Sequence, residues 1–324
     1  MKRISDKLTV LMTTYKEPPI QLRKSIESIL NQTFGDFIFI IIVDDPNNKD
    51  GIDVIKNYAE KDNRIIYYIN EKNIGTAMSM NKGIELTNTE YIARMDADDI
   101  SLPNRLKTQI NYLEEHQEVD LLGTNLVYMD ENDNLLFNGE KSILSNDLIS
   151  KSLKYIDVVY QPTFMGKTSM FKSVKYRDLK NCQDYDFLCR SIENGYKINN
   201  LPNYLLHYRI ASNKSDRVLL YHSIAPYYIK KYYRKGKLRN TDVKSLIEKD
   251  ISKANKKRIL NGRKRYMKGF ELRRQEKYLS ATFQFVLSCF YSKYNLDFLY
   301  SLVRFYFVNK KALKIENKLA HRKG

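Results

Sequence analysis

The run FIFIIIV at residues 37–43 restricts the possible folds more than any other part of this sequence. Every residue in it is β-branched or aromatic, so neither side of a strand built from it suits water. Strands of this kind are typical of parallel sheets, which helices cover on both faces. The run therefore predicts an α/β domain with a parallel central sheet.

The segments around this run alternate between strand and helix patterns. In the first helical pattern Ile20, Ile26 and Ile29 recur near one stripe, and Pro19 suits the first turn. Ser101 is predicted to cap the last helix of the series. Besides 37–43, we predict strands at 8–12, 64–69 and 91–95, and helices at 20–32, 51–61, 76–87 and 103–116. This βαβα order predicts a doubly wound, mostly parallel sheet flanked by helices.

Composition limits the class of protein. With 324 residues, 43% of them hydrophobic, the chain can form one large domain and an appendage. Its three cysteines are too scattered for a disulfide framework or a zinc site, which favours a reducing compartment. The N-terminus lacks an apolar signal core, and no apolar stretch approaches about 18 residues. We therefore expect a cytoplasmic protein that does not span a membrane.

Charge is concentrated at the C-terminal end. Residues 221–324 contain 27 Lys and Arg against 7 Asp and Glu, whereas residues 1–220 contain 28 against 31. Tyr, Phe and Leu recur there at helical spacing, so we predict an α/β domain at 1–218 and a basic, aromatic-rich helical region at 219–324. This asymmetry indicates either an acidic partner or a charged face that is simply solvated. The acidic partner would be nucleic acid or an anionic membrane surface.

Acidic residues follow two of the predicted strands. Asp44 and Asp45 come directly after 37–43, and Asp96, Asp98 and Asp99 come after the strand at 91–95. The carboxyl ends of strands are where open α/β sheets bind ligands. Two like charges about 4 Å apart repel by about 4 kcal/mol at an effective dielectric constant of about 20. A divalent cation that bridges to substrate phosphates would offset that repulsion.

The acidic string at 96–99 is also compatible with roles that need no cation. A solvated turn that caps the next helix would carry the same residue types. A phosphatase with an aspartyl nucleophile would place the motif D-x-D-x-T or D-x-D-x-V after the first strand, whereas this string follows the fourth strand. A cyclase that uses D-x-D-D as an acid would need an all-helical, aromatic-walled cavity, and this segment is α/β. Neither of these two enzyme classes fits the context, so a solvated turn and cation binding both remain open at this point.

Several strings resemble, in order and spacing, the family 2 glycosyltransferases, which are inverting enzymes of the GT-A fold. The resemblance covers about residues 4–215 and rests on TVLMTTYKEPP from residue 9, NIGTAMSMNKGI at 73–84, YIARMDADDISLP from residue 91, QPTF at 161–164 and QDYDFLCRSIENGYKINNLPNYLLHYRI at 183–210. It implies metal-dependent transfer of a sugar, a hexose, from a nucleoside diphosphate donor to a glycan or lipid-linked acceptor. It also implies a role in bacterial surface polysaccharide synthesis, such as capsule or lipopolysaccharide.

The resemblance assigns the donor-binding residues. Thr13, Tyr15 and Glu17 would lie against the base and ribose, and Asp45 would accept a hydrogen bond from a uracil ring nitrogen. A UDP-sugar is therefore the expected donor. Pro46 departs from the family pattern, in which Gly-Ser usually follows Asp45. Proline removes a backbone hydrogen-bond donor and fixes φ at this position.

The resemblance also assigns the metal site. Asp98 would ligate Mn²⁺ or Mg²⁺ directly, and Asp96 would hold the ribose or a metal-bound water. Asp99 would share one of these roles or cap the next helix, and Arg94 would face the diphosphate or form a salt bridge at the strand edge. Many relatives have a metal-binding His where this chain has Ala211. His207 falls in a predicted strand, so we interpret it as structural.

Asp184 matches the catalytic base of the family. Relatives generally have Glu before it, and the neutral Gln183 here would hold the pKa of the base lower. Asp186 is the rival, and QDYD would also suit the first turn of a helix.

The family resemblance favours peripheral binding of the basic tail at the inner face of the cell membrane, where it would meet a lipid-linked acceptor. Binding of nucleic acid by the tail is the alternative function, although no known nucleic-acid-binding motif occurs there. A sugar nucleotidyltransferase is the alternative enzyme, but the loop TTYKEPPIQ after the first strand lacks glycine.

Overall fold

The computed structural model describes residues 5–139, 145–210, 215–253 and 255–320, with side chains described as far as residue 310. The chain divides into two compact units. The first comprises Met1–Asn146, Val159–Asp178 and Asn194–Ser212, and the second comprises Asp147–Val158, Leu179–Glu193 and Asn213–Gly324. Two segments before residue 218 thus group with the C-terminal residues, and the domain boundary proposed at 218 stays a prediction.

Four parallel strands form the first half of the sheet in the first unit, in the order β3-β2-β1-β4. They are β1 (Leu8–Thr14), β2 (Phe37–Val43), β3 (Ile65–Ile69) and β4 (Tyr91–Asp96). Helices α1 (Pro19–Leu30), α2 (Lys49–Ala59) and α3 (Thr76–Leu86) connect them. The predicted α/β fold class is confirmed.

The second half of the sheet adds antiparallel pairs that local sequence patterns do not predict. The full order is β3-β2-β1-β4-β8-β6-β9-β5, with β7 on β6. The added elements are β5 (Ile100–Ser101), α4 (Arg105–Glu115), β6 (Leu121–Met129), β7 (Leu135–Gly139), β8 (Met165–Lys167), α6 (Thr168–Val174) and β9 (Ile198–Arg209), while α5 (Asn146–Ser152) precedes β8 in the chain. β6 pairs with β9 in parallel and with β7 and β8 antiparallel.

Two local predictions were wrong. Ser101 does not cap α4, because it pairs with Leu206 within β5 and β9, and Asn104 precedes the helix instead. Ile20 is 63% exposed, and Leu22 joins Ile26 and Ile29 in the core. Leu22, Ile26 and Ile29 recur at spacings of four and three, which places them on one face of α1.

The second unit is helical. It contains α5 except for its first residue. It also contains the whole of α7 (Gln183–Glu193), α8 (Asp216–Tyr233), α9 (Val243–Lys253), α10 (Lys256–Arg274), α11 (Tyr278–Cys289) and α12 (Lys293–Ala320). The predicted helical C-terminal region is confirmed. Within the described ranges, no helix combines the length and apolar character needed to cross a membrane.

Candidate functional site

A pocket of about 90 Å³ opens at the carboxyl ends of the parallel strands in the first unit. It forms because β1 lies between β2 and β4, with Thr13 opposite Asp96 in the register. This edge is where open α/β sheets bind ligands. The lining residues are Thr13, Thr14, Tyr15, Glu17, Asp44, Thr76, Asp96, Ala97 and Asp98.

Glu17 organises the loop that follows β1. Its Oε2 accepts hydrogen bonds from Thr14 Oγ1 at 2.6 Å and from the Tyr15 amide at 2.7 Å. Lys16 Nζ lies over the Tyr15 ring, 4.9 Å from its centroid. Glu17 therefore holds the loop in one conformation, and the Tyr15 ring stays partly exposed at the pocket.

Asp44 and Asp45 separate into two roles. Asp44 accepts hydrogen bonds from Asn70 Nδ2 at 2.8 Å and from the amides of Ile74 and Gly75 at 2.9 Å each. It thus fixes the loop before α3, which turns at Gly75 with φ of 86°. Asp45 accepts from the Asn47 amide at 3.0 Å and is not among the pocket-lining residues. Its contact with a base stays a prediction.

The acidic loop after β4 is largely withdrawn from solvent. Burial, followed by the negative charges of Asp96 and Glu17, raises the pKa of Asp98 to about 7. Burial also raises the pKa of Asp99, whose side chain is fully enclosed. Asp96 is ion-paired with the buried Arg94 guanidinium. Of the two roles predicted for Arg94, the structure contains the salt bridge.

Arg209 at the end of β9 is the main cation that sequence reasoning missed. Its amide donates to Asp99 Oδ1 at 2.8 Å, and its Nε donates to the Asp98 carbonyl oxygen at 2.8 Å. Its Nη1 donates to the Asp130 carbonyl oxygen at 2.9 Å. Asp99 therefore does not cap α4. The only signal for Arg209 in the sequence is its place in the string HYRI.

A second buried cation lies behind the acidic loop. Arg105 Nη2 donates to the Arg94 carbonyl oxygen at 2.6 Å, and the whole side chain is inaccessible to solvent. Burial lowers its pKa to about 10, while the charges of Asp99 and Asp96 act in the opposite direction. Arg94, Arg105 and Arg209 together offset part of the repulsion within the loop.

We predict that Arg209→Lys lowers the affinity for Mn²⁺ with UDP by about 10- to 100-fold, because residues that orient metal ligands typically contribute this much. Lysine keeps the charge and the backbone amide, but its side chain cannot reproduce the directed hydrogen bonds that Nε and Nη1 donate to the carbonyl oxygens of Asp98 and Asp130. Calorimetric titration would measure the loss. Arg64→Lys is the matched control, since Arg64 pairs with Asp62 and the Leu30 carbonyl oxygen. Equal affinities in wild type and Arg209→Lys would contradict the positioning role.

The chemistry of the acidic loop fits a hard divalent cation. Among the described residues, His, Cys, Asp and Glu form no group of three or more arranged to hold a metal ion. Mg²⁺ and similar ions, however, often use one or two carboxylates and take their other oxygens from water and substrate phosphates. Asp98 lines the pocket, and Asp99 Oδ2 is buried without a hydrogen-bond partner within the part of the chain described.

Neither His207 nor Ala211, the position where many relatives have a histidine, is a metal ligand that the structure describes. Ala211 lies outside the described residues. His207 lies in β9 opposite Ile100 and Val127, as expected for a residue in a strand. Burial lowers the pKa of His207, which favours its neutral form. His207 is not one of the residues that line the pocket.

Asp184 and Asp186 both lie in the first turn of α7, in the second unit. Asp184 is partly exposed, and its Oδ1 accepts a hydrogen bond from the Tyr185 amide at 2.8 Å. Asp186 is fully buried and accepts from Arg190 Nε at 2.7 Å. The geometry thus gives Asp186 a structural partner and leaves Asp184 closer to solvent.

Comparisons with known proteins identify the relatives of this chain. The family model described as glycosyl transferase family 2 matches residues 9–174. An uncharacterised glycosyltransferase of Methanocaldococcus jannaschii is 44% identical over 63% of this chain and 70% of that protein. The O-antigen biosynthesis glycosyltransferase WbnJ of Escherichia coli is 32% identical over 74% of this chain and 93% of that protein.

Solved structures show the same fold. S. aureus TarS 1-349 in complex with UDP matches with a TM-score of 0.54 and 17% identity, over 70% of this chain and 65% of that chain. The same TarS fragment in complex with UDP-GlcNAc matches with a TM-score of 0.55 and 16% identity, over 71% and 72%. The present chain therefore spans about two thirds of the TarS fragment.

Proposed function

Because the chain belongs to glycosyl transferase family 2, we propose that it is an inverting, metal-dependent transferase. It moves a sugar from a UDP-sugar to a hydroxyl group of a glycan or lipid-linked acceptor during cell-surface polysaccharide synthesis. The observation that carries this proposal is the pocket at the strand ends, in which Asp96 and Asp98 face the loop of Thr13 and Tyr15. The names of WbnJ and the TarS complexes support the pathway class and the donor class.

The pocket is suited to part of such a donor. Its volume of about 90 Å³ is below the roughly 300–1,000 Å³ of pockets that enclose a drug-sized ligand. It would therefore enclose only a portion of the nucleotide. We propose that Thr13 and the Tyr15 ring contact the base and ribose, with Glu17 holding their loop and Asp45 contacting the uracil.

Asp98 would hold a Mn²⁺ or Mg²⁺ ion, with Asp96 beside it. When bound, the ion acts as a Lewis acid that stabilises negative charge on the diphosphate. Asp98 must be ionised for this, which its pKa of about 7 permits at neutral and higher pH. Arg94 keeps Asp96 in place, and Arg209 keeps the Asp98 backbone in place.

Asp184 acts as the general base in this proposal. It accepts the proton of the acceptor hydroxyl while the oxygen attacks the anomeric carbon from the face opposite the leaving diphosphate. A single displacement of this kind inverts the anomeric configuration. Asp186 is less suited because it is buried and ion-paired with Arg190.

We further propose that residues 1–218 form the catalytic part and that residues 219–324 bind the inner face of the cell membrane peripherally. The excess of 27 basic over 7 acidic residues in 221–324 supports attraction to anionic lipid, to which each basic residue contributes about 1 kcal/mol. No role for nucleic acid is proposed.

A panel of UDP-, GDP- and dTDP-sugars with and without Mn²⁺ tests the donor proposal by thermal shift. We expect a UDP-sugar with Mn²⁺ to raise the melting temperature most, because ligands that bind only the native state stabilise it. NMR of the product made from the best donor would then show an inverted anomer. A preference for GDP or dTDP, or a retained configuration, would overturn the corresponding part of the proposal.

A further inference from the structure

Helices α11 and α12 of the second unit carry large apolar side chains on their exposed surfaces. Four of the exposed positions along each helix recur at intervals of four, three and four residues, which defines one stripe of an α-helix, while Tyr278 and Tyr306 are exposed beside these stripes. The side chains are 46–90% exposed. We call these stripes together the apolar face; its residues are Leu279, Phe283 and Val286 on α11, Phe290 directly after α11, and Leu296, Tyr300, Val303 and Phe307 on α12.

A groove between the two helices borders the apolar face on α12, where Val303 and Phe307 belong to both, whereas the α11 residues that line it lie outside that face. It has a volume of about 470 Å³, and its lining includes Tyr278 and Phe285 from α11 and Val303 and Phe307 from α12. Large apolar patches are uncommon on soluble monomers and mark sites where a protein or a membrane binds. Four of the eight residues of the apolar face are leucine or valine, so it suits an apolar medium better than stacked bases.

Basic residues outnumber acidic residues in the stretch of chain that contains the apolar face. Residues 255–310 contain 13 Lys and Arg against 3 Asp and Glu. Arg273 lines the groove itself, and Lys310 Nζ lies 5.9 Å from the centroid of the Tyr306 ring. Helices that combine an apolar stripe with basic residues bind at the interface of anionic membranes.

We propose that the apolar face inserts into the surface of an anionic lipid bilayer and anchors the protein there. This inference deepens the membrane contact stated under the proposed function, and rests on it, by naming the residues that make the contact. Charge complementarity favours this occupant, because a second copy would bring the same positive charge to the interface. Nucleic acid would satisfy the basic residues but would leave the leucines and valines without an apolar partner.

Co-sedimentation of the full chain with vesicles tests the proposal. The vesicles are phosphatidylcholine alone or a 7:3 mixture with phosphatidylglycerol, at moderate salt. We expect wild type to bind the mixed vesicles and Leu279→Gln/Phe307→Gln to bind them about tenfold more weakly, because two exposed apolar groups are removed. Leu135→Gln/Leu136→Gln is the matched control, since both leucines are at least half exposed on β7 in the first unit. This control should bind like wild type.

Three results would overturn the proposal. The first is failure of wild type to bind the mixed vesicles, and the second is equal vesicle binding by wild type and Leu279→Gln/Phe307→Gln. The third is that Leu279→Gln/Phe307→Gln loses self-association or a DNA mobility shift but keeps vesicle binding. Binding of UDP with Mn²⁺ is measured in parallel on the same proteins. If Leu279→Gln/Phe307→Gln binds nucleotide like wild type but binds vesicles weakly, the result supports the apolar face as the membrane-binding surface. If wild type itself does not bind UDP with Mn²⁺, the result counts against the enzymatic proposal alone.

Discussion

Asp184→Asn is expected to lower the rate of sugar transfer by at least about a hundredfold, because general bases typically contribute 10²- to 10⁴-fold. Asparagine keeps the size of the side chain but cannot accept the proton of the acceptor hydroxyl. Donor binding should stay within about twofold of wild type, since the donor-binding role belongs to residues of the first unit. Single-turnover transfer and calorimetric titration of the UDP-sugar would separate the two effects.

Asp186→Asn is the matched control for this experiment. Asp186 is fully buried and pairs with Arg190, so its loss leaves a buried guanidinium without its carboxylate. We expect a loss of about 3 to 5 kcal/mol in the free energy of unfolding. Asp184 is only partly buried, so Asp184→Asn should lose less stability than Asp186→Asn. Transfer by Asp184→Asn at the wild-type rate would refute the assignment of the base.

Asp98→Asn is expected to stabilise the metal-free protein at pH 8 by on the order of 4 kcal/mol, which is the free-energy equivalent of its pKa shift. Burial near Asp96 and Glu17 raises the pKa of Asp98 from 3.8 to about 7, so its ionised form is unfavourable in the folded state. Asparagine has no ionised form and removes that cost. The same variant should lose the stabilisation that Mn²⁺ with UDP confers on wild type.

The pH dependence of this effect has a defined sign. A carboxylate with a raised pKa in the folded state contributes stability that is complete below about pH 4. That stability is lost as the pH rises to about 7, so wild type should fall below the variant across this window. Denaturant unfolding at pH 4, 6 and 8 would measure the difference, with Asp53→Asn on α2 as an exposed control. A variant no more stable than wild type at pH 8 would contradict the prediction.

Local patterns in the sequence were sufficient to predict the first half of the sheet. The predicted strand at 37–43 coincides with β2, and the predicted helix at 76–87 differs from α3 by one residue at its end. These elements depend on the pattern of apolar side chains along the chain, which acts within a few residues. The acidic residues at the ends of β2 and β4 could be grouped because parallel neighbouring strands end at the same edge.

Tertiary structure alone decided how the acidic loop is neutralised and enclosed. Arg209 contacts Asp98 and Asp99 across more than a hundred residues of chain because β9 pairs with β5 directly after the loop. The same pairing took Ser101 into a strand, although its local sequence suited a helix cap. Pairing between distant strands depends on the packing of the whole sheet, so the burial that raises the pKa of Asp98 has no local signal in the sequence.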